Sequence, residues 1–480
     1  MSVSQSSSSL GEHAIVVGGG MAGLLAARVL ANHFERVSLI ERDHYPQEPV
    51  FRPGVPQGHH IHVLLLRGQQ ILENLFPGIT DKLLAQGAVK CDFAHDYIYR
   101  VWSGWLPQAP SRLQGYTCTR LLIEWQVHQE LLEHEQVHIL EGQEVVDLAA
   151  SSDKQSVTGV RMRQRTRTAP ADSEITDMAA DLVVDASGRH SHAPQWLEAL
   201  GYEPPLEKVV NPFLGYASQI YAPPADSHRT WKGMIIQQDP PEKLRGGAIW
   251  PIEGDRWMVL VAGASKDYPA TEQAAFLEFA QGLPDMGLYE AIRDAEPLSP
   301  IYGYRQTENR RRHFEQMKRQ PEGFVVVGDA CCAFNPIYGQ GMSVAALGAM
   351  TLDESLRQNN GRDLRGLPRD FQSKLAQVNE LPWQLAAASD YRFPATEGKK
   401  LDWATKLQHR YLNGIIGLLP TEKVARDTFL EVQHMVQPPI TLFRPALVMK
   451  VLMRGRGHKP ANTAATTQKH DLSPQFRTKT

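Results

Sequence analysis

Residues 13–43, HAIVVGGGMAGLLAARVLANHFERVSLIERD, set three glycines and an acid at a spacing that suits a dinucleotide. An apolar run at 14–17 leads into Gly18, Gly20 and Gly23. A stretch follows in which Leu24, Leu25, Ala27, Val29 and Leu30 give a helix an apolar face. A second apolar run at 37–40 ends on Glu41. Strand, glycine turn, helix and strand in this order form the βαβ fingerprint of dinucleotide binding. Gly18 permits the tight turn. Gly20, followed by Met21 and Ala22, leaves room for a pyrophosphate, and Gly23 lets the helix approach the strand. The helix start offers free N–H groups and the positive end of its dipole to the phosphates. Glu41, with Arg42 next to it, is placed to accept hydrogen bonds from ribose hydroxyls. The plainer alternative is a glycine turn in some other α/β domain, and the fingerprint alone does not say which dinucleotide binds.

A second constellation lies three hundred residues on. Residues 323–327 read as a buried strand that ends on Gly328-Asp329, followed by Phe334-Asn335-Pro336-Ile337-Tyr338-Gly339-Gln340-Gly341-Met342 and a helical pattern from Ser343. An aspartate at a strand's C-terminal end can accept a hydrogen bond from a sugar hydroxyl, the ribityl in a flavoprotein. The Gly339-Gln340-Gly341 turn starts a helix whose N–H groups would stabilise negative charge at the pyrimidine edge of a reduced flavin. The plainer reading of Asp329 is a helix cap.

With these motifs the chain resembles the para-hydroxybenzoate hydroxylase superfamily of flavin monooxygenases. There the glycine fingerprint holds the ADP part of FAD and a Gly-Asp pair holds the ribityl, which Gly328-Asp329 matches. The family's intervening Asp-Gly motif is echoed by Asp185-Ala186-Ser187-Gly188-Arg189, with two residues between Asp185 and Gly188. Arg120 matches an arginine that opens the helix after the first β segment and contacts the FAD phosphates. A narrower likeness is carried by Gly54-Val55-Pro56-Gln57-x-x-His60-x-His62, Glu308-Asn309-Arg310-Arg311 and the 334–339 string. It points to the flavin-dependent olefin epoxidases of polyether biosynthesis, such as those of lasalocid and monensin. The likeness runs from about residue 13 to about residue 450.

The resemblance implies a cofactor, FAD, and a co-substrate, O2. Reduced FAD would form a C4a-hydroperoxide and pass one oxygen atom to an alkene of an apolar polyene or polyketide-like substrate. Aromatic hydroxylation is the alternative, and a polyprenyl-type double-bond reductase and an FAD-binding redox sensor are the rivals. Halogenation is disfavoured: Trp102-Ser103-Gly104-Trp105-Leu106-Pro107 echoes the halogenase W-x-W-x-I-P string with the wrong spacing, and no lysine is assignable. No second GxGxxG follows a strand, so electrons would come from docking NAD(P)H or from a partner flavin reductase. No catalytic residue is assigned. Pro336, Tyr338, His60 and His62 are the flavin-proximal candidates, and Arg52 is a candidate for the flavin or its phosphates against a plain loop residue. Trp231, Trp250 and Trp257 are candidates for the substrate wall. His59, His60 and His62 lack the partner ligands of a metal site, so no metal is expected. Cys331 and Cys332 read as small-residue packing rather than a redox pair.

The elements that must hold these residues point to an α/β fold. It comprises a Rossmann-like FAD-binding domain of glutathione-reductase type, an inserted antiparallel β-sheet substrate domain and a C-terminal helical region. The division expected is 12–204 with 320–357 for the FAD domain, 205–319 for the substrate domain and 358–460 for the helices, with disordered tails at 1–11 and 461–480. Thr119 should cap a helix from Arg120, residues 143–185 should form a β-meander turning near Ser152 and Pro170, and Gly254-Asp255 should turn a hairpin. Pro382, Pro394, Pro420, Pro438 and Pro439 should break the C-terminal helices.

Composition narrows the class further. Lys plus Arg is 50 and Asp plus Glu is 53, a net charge of −3, which argues against a general nucleic-acid binder. Four cysteines without a CxxC pair suit a reducing cytoplasm, and the Ser-rich start lacks the pattern of a signal peptide. No apolar run reaches the ~18 residues that cross a bilayer. The stretch 442–453, apolar with spaced cations, reads as a helix packed on the core, with peripheral membrane contact as the other reading.

Overall fold

The fold is seen in a computed structural model that describes residues 10–165, 174–224, 229–359, 364–398 and 403–457. Its centre is a five-stranded parallel sheet in the order Phe324–Val326, Leu182–Asp185, Gly11–Val17, Phe34–Glu41, Val137–Glu141. Central parallel strands are covered on both faces, so they read as unbroken apolar runs. Ala14, Ile15, Val16, Leu39, Val183 and Val184 are accordingly sealed from solvent. Helices Met21–Leu30, Arg120–Leu132 and Gly341–Gln358 share this core. A three-stranded antiparallel sheet, Gln143–Ala150, Val157–Gln164 and Ile175–Ala179, packs against it as the meander predicted. The carboxyl ends of the parallel strands, where open α/β sheets bind ligands, carry Val17, Glu41 and Asp185. The Rossmann-like core, antiparallel sheet and C-terminal helices agree with the expected fold class.

The larger second sheet runs Glu296–Pro297, Gly215–Ala222, Arg256–Gly263, Arg245–Ile252, Gly233–Ile236, Tyr97–Val101, Gly104–Trp105, with Tyr302–Tyr304 also on Gly215–Ala222. It is antiparallel except where Gly233–Ile236 meets Tyr97–Val101. Gly254 and Asp255, both at positive φ, turn the hairpin between Arg245–Ile252 and Arg256–Gly263. The division at 204/205 is not clean in this sheet, because Tyr97–Val101 and Gly104–Trp105 precede it by a hundred residues. They belong here because the edge of Gly233–Ile236 needs hydrogen-bond partners, and Tyr97–Val101 supplies them. Leu206–Val210, expected in the substrate domain, pairs instead with Asn309–His313, which in turn pairs with Cys332–Ala333.

The C-terminal region is helical: Leu367–Asp390, Trp403–Leu418, Lys423–Gln433 and Pro445–Gly457. Pro382 does not break its helix; it sits inside Leu367–Asp390. A proline costs a helix one backbone hydrogen bond and crowds the preceding turn. Burial of Phe371, Leu375, Trp383, Ala386 and Ala387 on either side holds the helix together across it. Thr119 caps the Arg120 helix as expected, its hydroxyl accepting from the Leu122 N–H at 3.2 Å. Of the expected N-terminal tail, Leu10 and Gly11 are described, and Gly11 begins the first strand. The rest of that tail, the 461–480 tail and the Pro170 turn lie outside the described residues. Among the described residues no helix is long and apolar enough to cross a membrane.

Candidate functional site

The glycine turn is built by side chains that fix its backbone. Gly18 adopts φ +96°, which a side chain would strain. Gly23 sits so close to the turn that a Cβ would lie 1.8 Å from the Gly18 carbonyl oxygen. The Gly19 N–H donates to Glu41 Oε2 at 2.6 Å, and the Gly19 carbonyl accepts from Tyr45 Oη at 2.6 Å and Arg52 Nη2 at 3.0 Å. Gly20 has only Arg120 Nη2, 3.9 Å away, near the place of a missing Cβ. Gly20 is also the N-cap of Met21–Leu30 and supplies no side-chain cap, so among the described residues no capping side chain takes the first N–H groups of that helix.

Arg52 is no surface loop residue. It is buried, with Glu124 Oε1 at 2.7 Å and Glu41 and Asp43 each at 3.4 Å. Burial works against its charge, but Glu124 and Glu41 together hold its pKa above the usual guanidinium value. Glu124 also pairs with Arg120 at 2.8 Å and titrates below the usual range, since the two arginines outweigh its burial. Arg120 Nε is buried without a hydrogen-bond partner among the described residues. Glu41 faces the same cavity while accepting from the Gly19 and Asp43 N–H groups, and Arg42 lines its exposed rim.

The second constellation meets the first across one cavity of about 1130 Å³. Gly18, Gly20, Met21, Ala22, Glu41, Arg42, Arg52 and Arg120 line it from the fingerprint side. Gly188, Asp329, Pro336, Tyr338, Gly339, Gln340, Gly341 and Met342 line it from the other. A Cβ at Gly188 or at Gly341 would have no neighbour within 4 Å. Gln340 is the N-cap of Gly341–Gln358 and gives it no side-chain cap, so a second helix start, uncapped by its own N-cap side chain, faces the cavity. Burial raises the pKa of Asp329, with Arg189 and Arg120 opposing the shift.

Three cofactor candidates do not reach the cavity. Gly23 and Gly328 shape the backbone behind it; a Cβ on Gly328 would lie 2.6 Å from the Ala22 methyl. Asp185 is fully buried and holds the next turn, accepting from the Ser187 N–H at 2.9 Å and Ser191 Oγ at 2.5 Å. His60 is also off the cavity: its Nδ1 lies 2.9 Å from Ser218 Oγ and its ring meets Tyr216 edge-on. His62 does line it, and burial with Arg120 nearby pushes its pKa down to about 3, so the imidazole is neutral. Of the three tryptophans only Trp250 lines the cavity, while Trp231 and Trp257 stack on each other elsewhere at 5.6 Å. Burial raises the Cys331 thiol to about 12, which leaves it unreactive at neutral pH. Among the described residues no cluster of three or more His, Cys, Asp or Glu could hold a metal ion.

A network that sequence reasoning missed supports the 335–339 loop. Asp390, fully buried at the end of its helix, accepts from Asn309 Nδ2 and Tyr338 Oη at 2.5 Å each and from Asn335 Nδ2 at 3.1 Å. Asn335 Oδ1 in turn accepts from the Ile337 N–H. Burial outweighs the three donors and raises the Asp390 pKa to about 7. Both asparagines lie in strings singled out above, but nothing local ties either to residue 390.

The cavity suits FAD by its own features. It joins two uncapped helix starts, side-chain-free surfaces at Gly20, Gly188 and Gly341, an arginine nitrogen left unpaired, and a carboxylate at the end of the Phe324–Val326 strand. Met21–Leu30 and Arg120 would hold the pyrophosphate, Glu41 the ribose, Asp329 the ribityl and the Gly341 helix start the flavin ring.

Three substitutions test this geometry. Gly20→Val should lower the melting temperature of the FAD-free protein only slightly, through loss of a favourable N-cap residue, but weaken FAD binding about 100-fold or more in a fluorescence titration, about 3 kcal/mol. Gly23→Val should instead lower the stability itself, because its side chain meets the Gly18 carbonyl. Asp390 tests the loop. Its pKa is raised on folding, so its contribution to stability is lost as pH rises from the ordinary carboxylate range to about 7. Asp390→Asn removes that slope. In thermal melts the stability advantage of the wild type over the variant should therefore shrink across this window, and a constant difference would contradict the shift.

The comparisons with known proteins agree with this geometry. The family described as FAD binding domain matches residues 12–359. Protein Rv3254 of Mycobacterium tuberculosis is 29% identical over 423 residues, covering 87% of this chain and 88% of that protein. The kynurenine 3-monooxygenase of Salinispora tropica is 26% identical over 379 residues, 73% of this chain and 74% of that one. Among solved structures, the flavin-dependent brominase Bmp2 superposes with a TM-score of 0.63 at 14% identity, over 92% of this chain and 99% of that chain, a likeness of fold. The chain belongs to the FAD-binding-domain family and has the para-hydroxybenzoate hydroxylase-like fold shared by flavin monooxygenases and halogenases.

Proposed function

We propose that the chain is a cytoplasmic FAD-dependent monooxygenase that places one atom of O2 on an apolar substrate, epoxidising an alkene of a polyene or polyketide-like molecule. The observation that carries the reading is the continuity of the cavity. The space bounded by Gly20, Asp329 and Gly341 is also bounded by Tyr97 and Trp250 from the second sheet, by Phe93 from the loop before Tyr97, and by Leu381, Ile416 and Phe429 from the C-terminal helices. Binding sites for small molecules have this make-up, a largely apolar wall with a few placed polar groups.

FAD, when bound and reduced, supplies the activation of O2 and the oxygen transfer. The chain's own residues bind, orient and exclude water. The Gly341 helix start would offer N–H donors to negative charge on a bound flavin. Neutral His62 adds no charge to the cavity. The Asp390 network anchors Tyr338 and Asn335, and with them the loop beside the helix start. Among the described residues no lysine lines the cavity, which favours oxygen transfer to carbon over halogenation. Aromatic hydroxylation is the second reading, favoured by the likeness to a kynurenine 3-monooxygenase. Electrons would come from NAD(P)H or from a separate flavin reductase.

The coupling of oxygen use tests this reading. The protein is supplied with FAD and with NADPH, or with NADH and a flavin reductase, and O2 uptake and hydrogen peroxide release are followed together. An apolar alkene should lower the peroxide formed per O2 and a polar one of equal size should not. If no alkene or arene changes that ratio, the reading fails in favour of a reductase or a sensor.

A further inference from the structure

The outer surface of the C-terminal helices carries a feature that oxygen transfer does not use. Between residues 440 and 453, Ile440 is 71% exposed, Met449 55%, Leu452 58% and Met453 60%, with Phe443 also exposed. On Pro445–Gly457, positions 445, 449, 452 and 453 recur at helical spacing, so Met449, Leu452 and Met453 form an apolar stripe open to solvent. The opposite side of this segment is anchored: Leu442 and Leu447 are buried, Phe443 stacks on Tyr411 at 4.7 Å, and Tyr411 Oη donates to the Leu442 carbonyl. The stripe is therefore the outward side of an ordered element.

The charges within the stretch itself have one sign. From residue 438 to residue 460 the chain carries Arg444, Lys450, Arg454, Arg456 and Lys459 and no aspartate or glutamate, although the whole chain has a net charge of −3. Lys450 is paired with Glu422, while Arg444 is exposed and has no ion pair among the described residues. Exposed apolar residues beside the unpaired Arg444, in a stretch without acids, match an anionic lipid surface: the side chains enter the acyl boundary and the cation meets the headgroups. The same segment borders the cavity, since Pro438, Pro439 and Leu442 line it while Ile440 faces outward.

We propose that the 440–456 segment docks this protein peripherally on an anionic membrane, setting the wall of the cavity against the bilayer. Docking would bring an apolar substrate to the cavity without passage through water. Only this consequence rests on the function proposed above, and lipid binding is measured without turnover, so each can fail alone.

The test is co-sedimentation of the full chain with vesicles of phosphatidylcholine alone and of phosphatidylcholine mixed with phosphatidylglycerol. Binding is expected to the mixed vesicles and to weaken with added salt. Arg444→Glu should reduce the bound fraction on the order of tenfold. Ile440→Ser combined with Met449→Ser should reduce it comparably, with the melting temperatures of both variants unchanged, since these side chains are exposed. Absence of binding to the mixed vesicles, or variants that bind like the wild type, would overturn the proposal. A dimer in size-exclusion chromatography that Ile440→Ser with Met449→Ser dissociates would also overturn it, because the stripe would then be covered by a second copy of the chain.

Discussion

The structure depends on how the Gly19 peptide is held. Its N–H is taken by Glu41 and its carbonyl by Tyr45 and Arg52, so the turn between the first strand and the first helix has one orientation. A backbone group left unpaired at a buried site costs about 1–3 kcal/mol, and here both are paired to buried side chains. Glu41 ends the second strand and Arg52 lies in the loop after it, so βαβ unit and loop are fixed to each other. Glu124 extends the same network to Arg120, which faces Gly20. The first N–H groups of the first helix are thus aimed by charges that are themselves buried.

Burial and charge compete at several points, with different outcomes. At Arg52 and Glu124 mutual attraction wins and both remain ionised. At Asp390 only neutral donors are available, burial wins, and the carboxyl titrates near neutrality. At His62 burial and Arg120 act together, and the ring stays neutral. The result is a cavity with its charges near the fingerprint and a largely uncharged wall along the second sheet and the C-terminal helices. Such a division suits a cofactor with a charged end and a substrate without one.

What the sequence shows of this is mostly local. The fingerprint is legible because Gly18 is set by its own positive φ and Gly23 by the Gly18 carbonyl five residues before it, and Thr119 and Gly254-Asp255 are legible for the same local reasons. Long-range pairings are not. Tyr97–Val101, with Gly104–Trp105, joins a sheet whose remaining strands begin more than a hundred residues later, and no local pattern says so. Asp390 meets Asn335 and Asn309 across 55 and 81 residues, and its own surroundings look like an ordinary helix end. Asp185 and His60 have the right residue types and chain positions for a cofactor, yet Ser191 and Ser218 engage them away from the cavity. Pro382 shows the converse: a strong local signal for a break is overridden by packing on both sides.

The central claim is that this cavity joins FAD to an apolar substrate for oxygen transfer. Its most direct test is mass spectrometry of the product formed from an apolar alkene under heavy-isotope O2, with ordinary water as solvent. The account predicts a product that carries one heavy oxygen atom, as an epoxide. A product whose oxygen comes from water, or a product reduced at the double bond with no oxygen added, would contradict it.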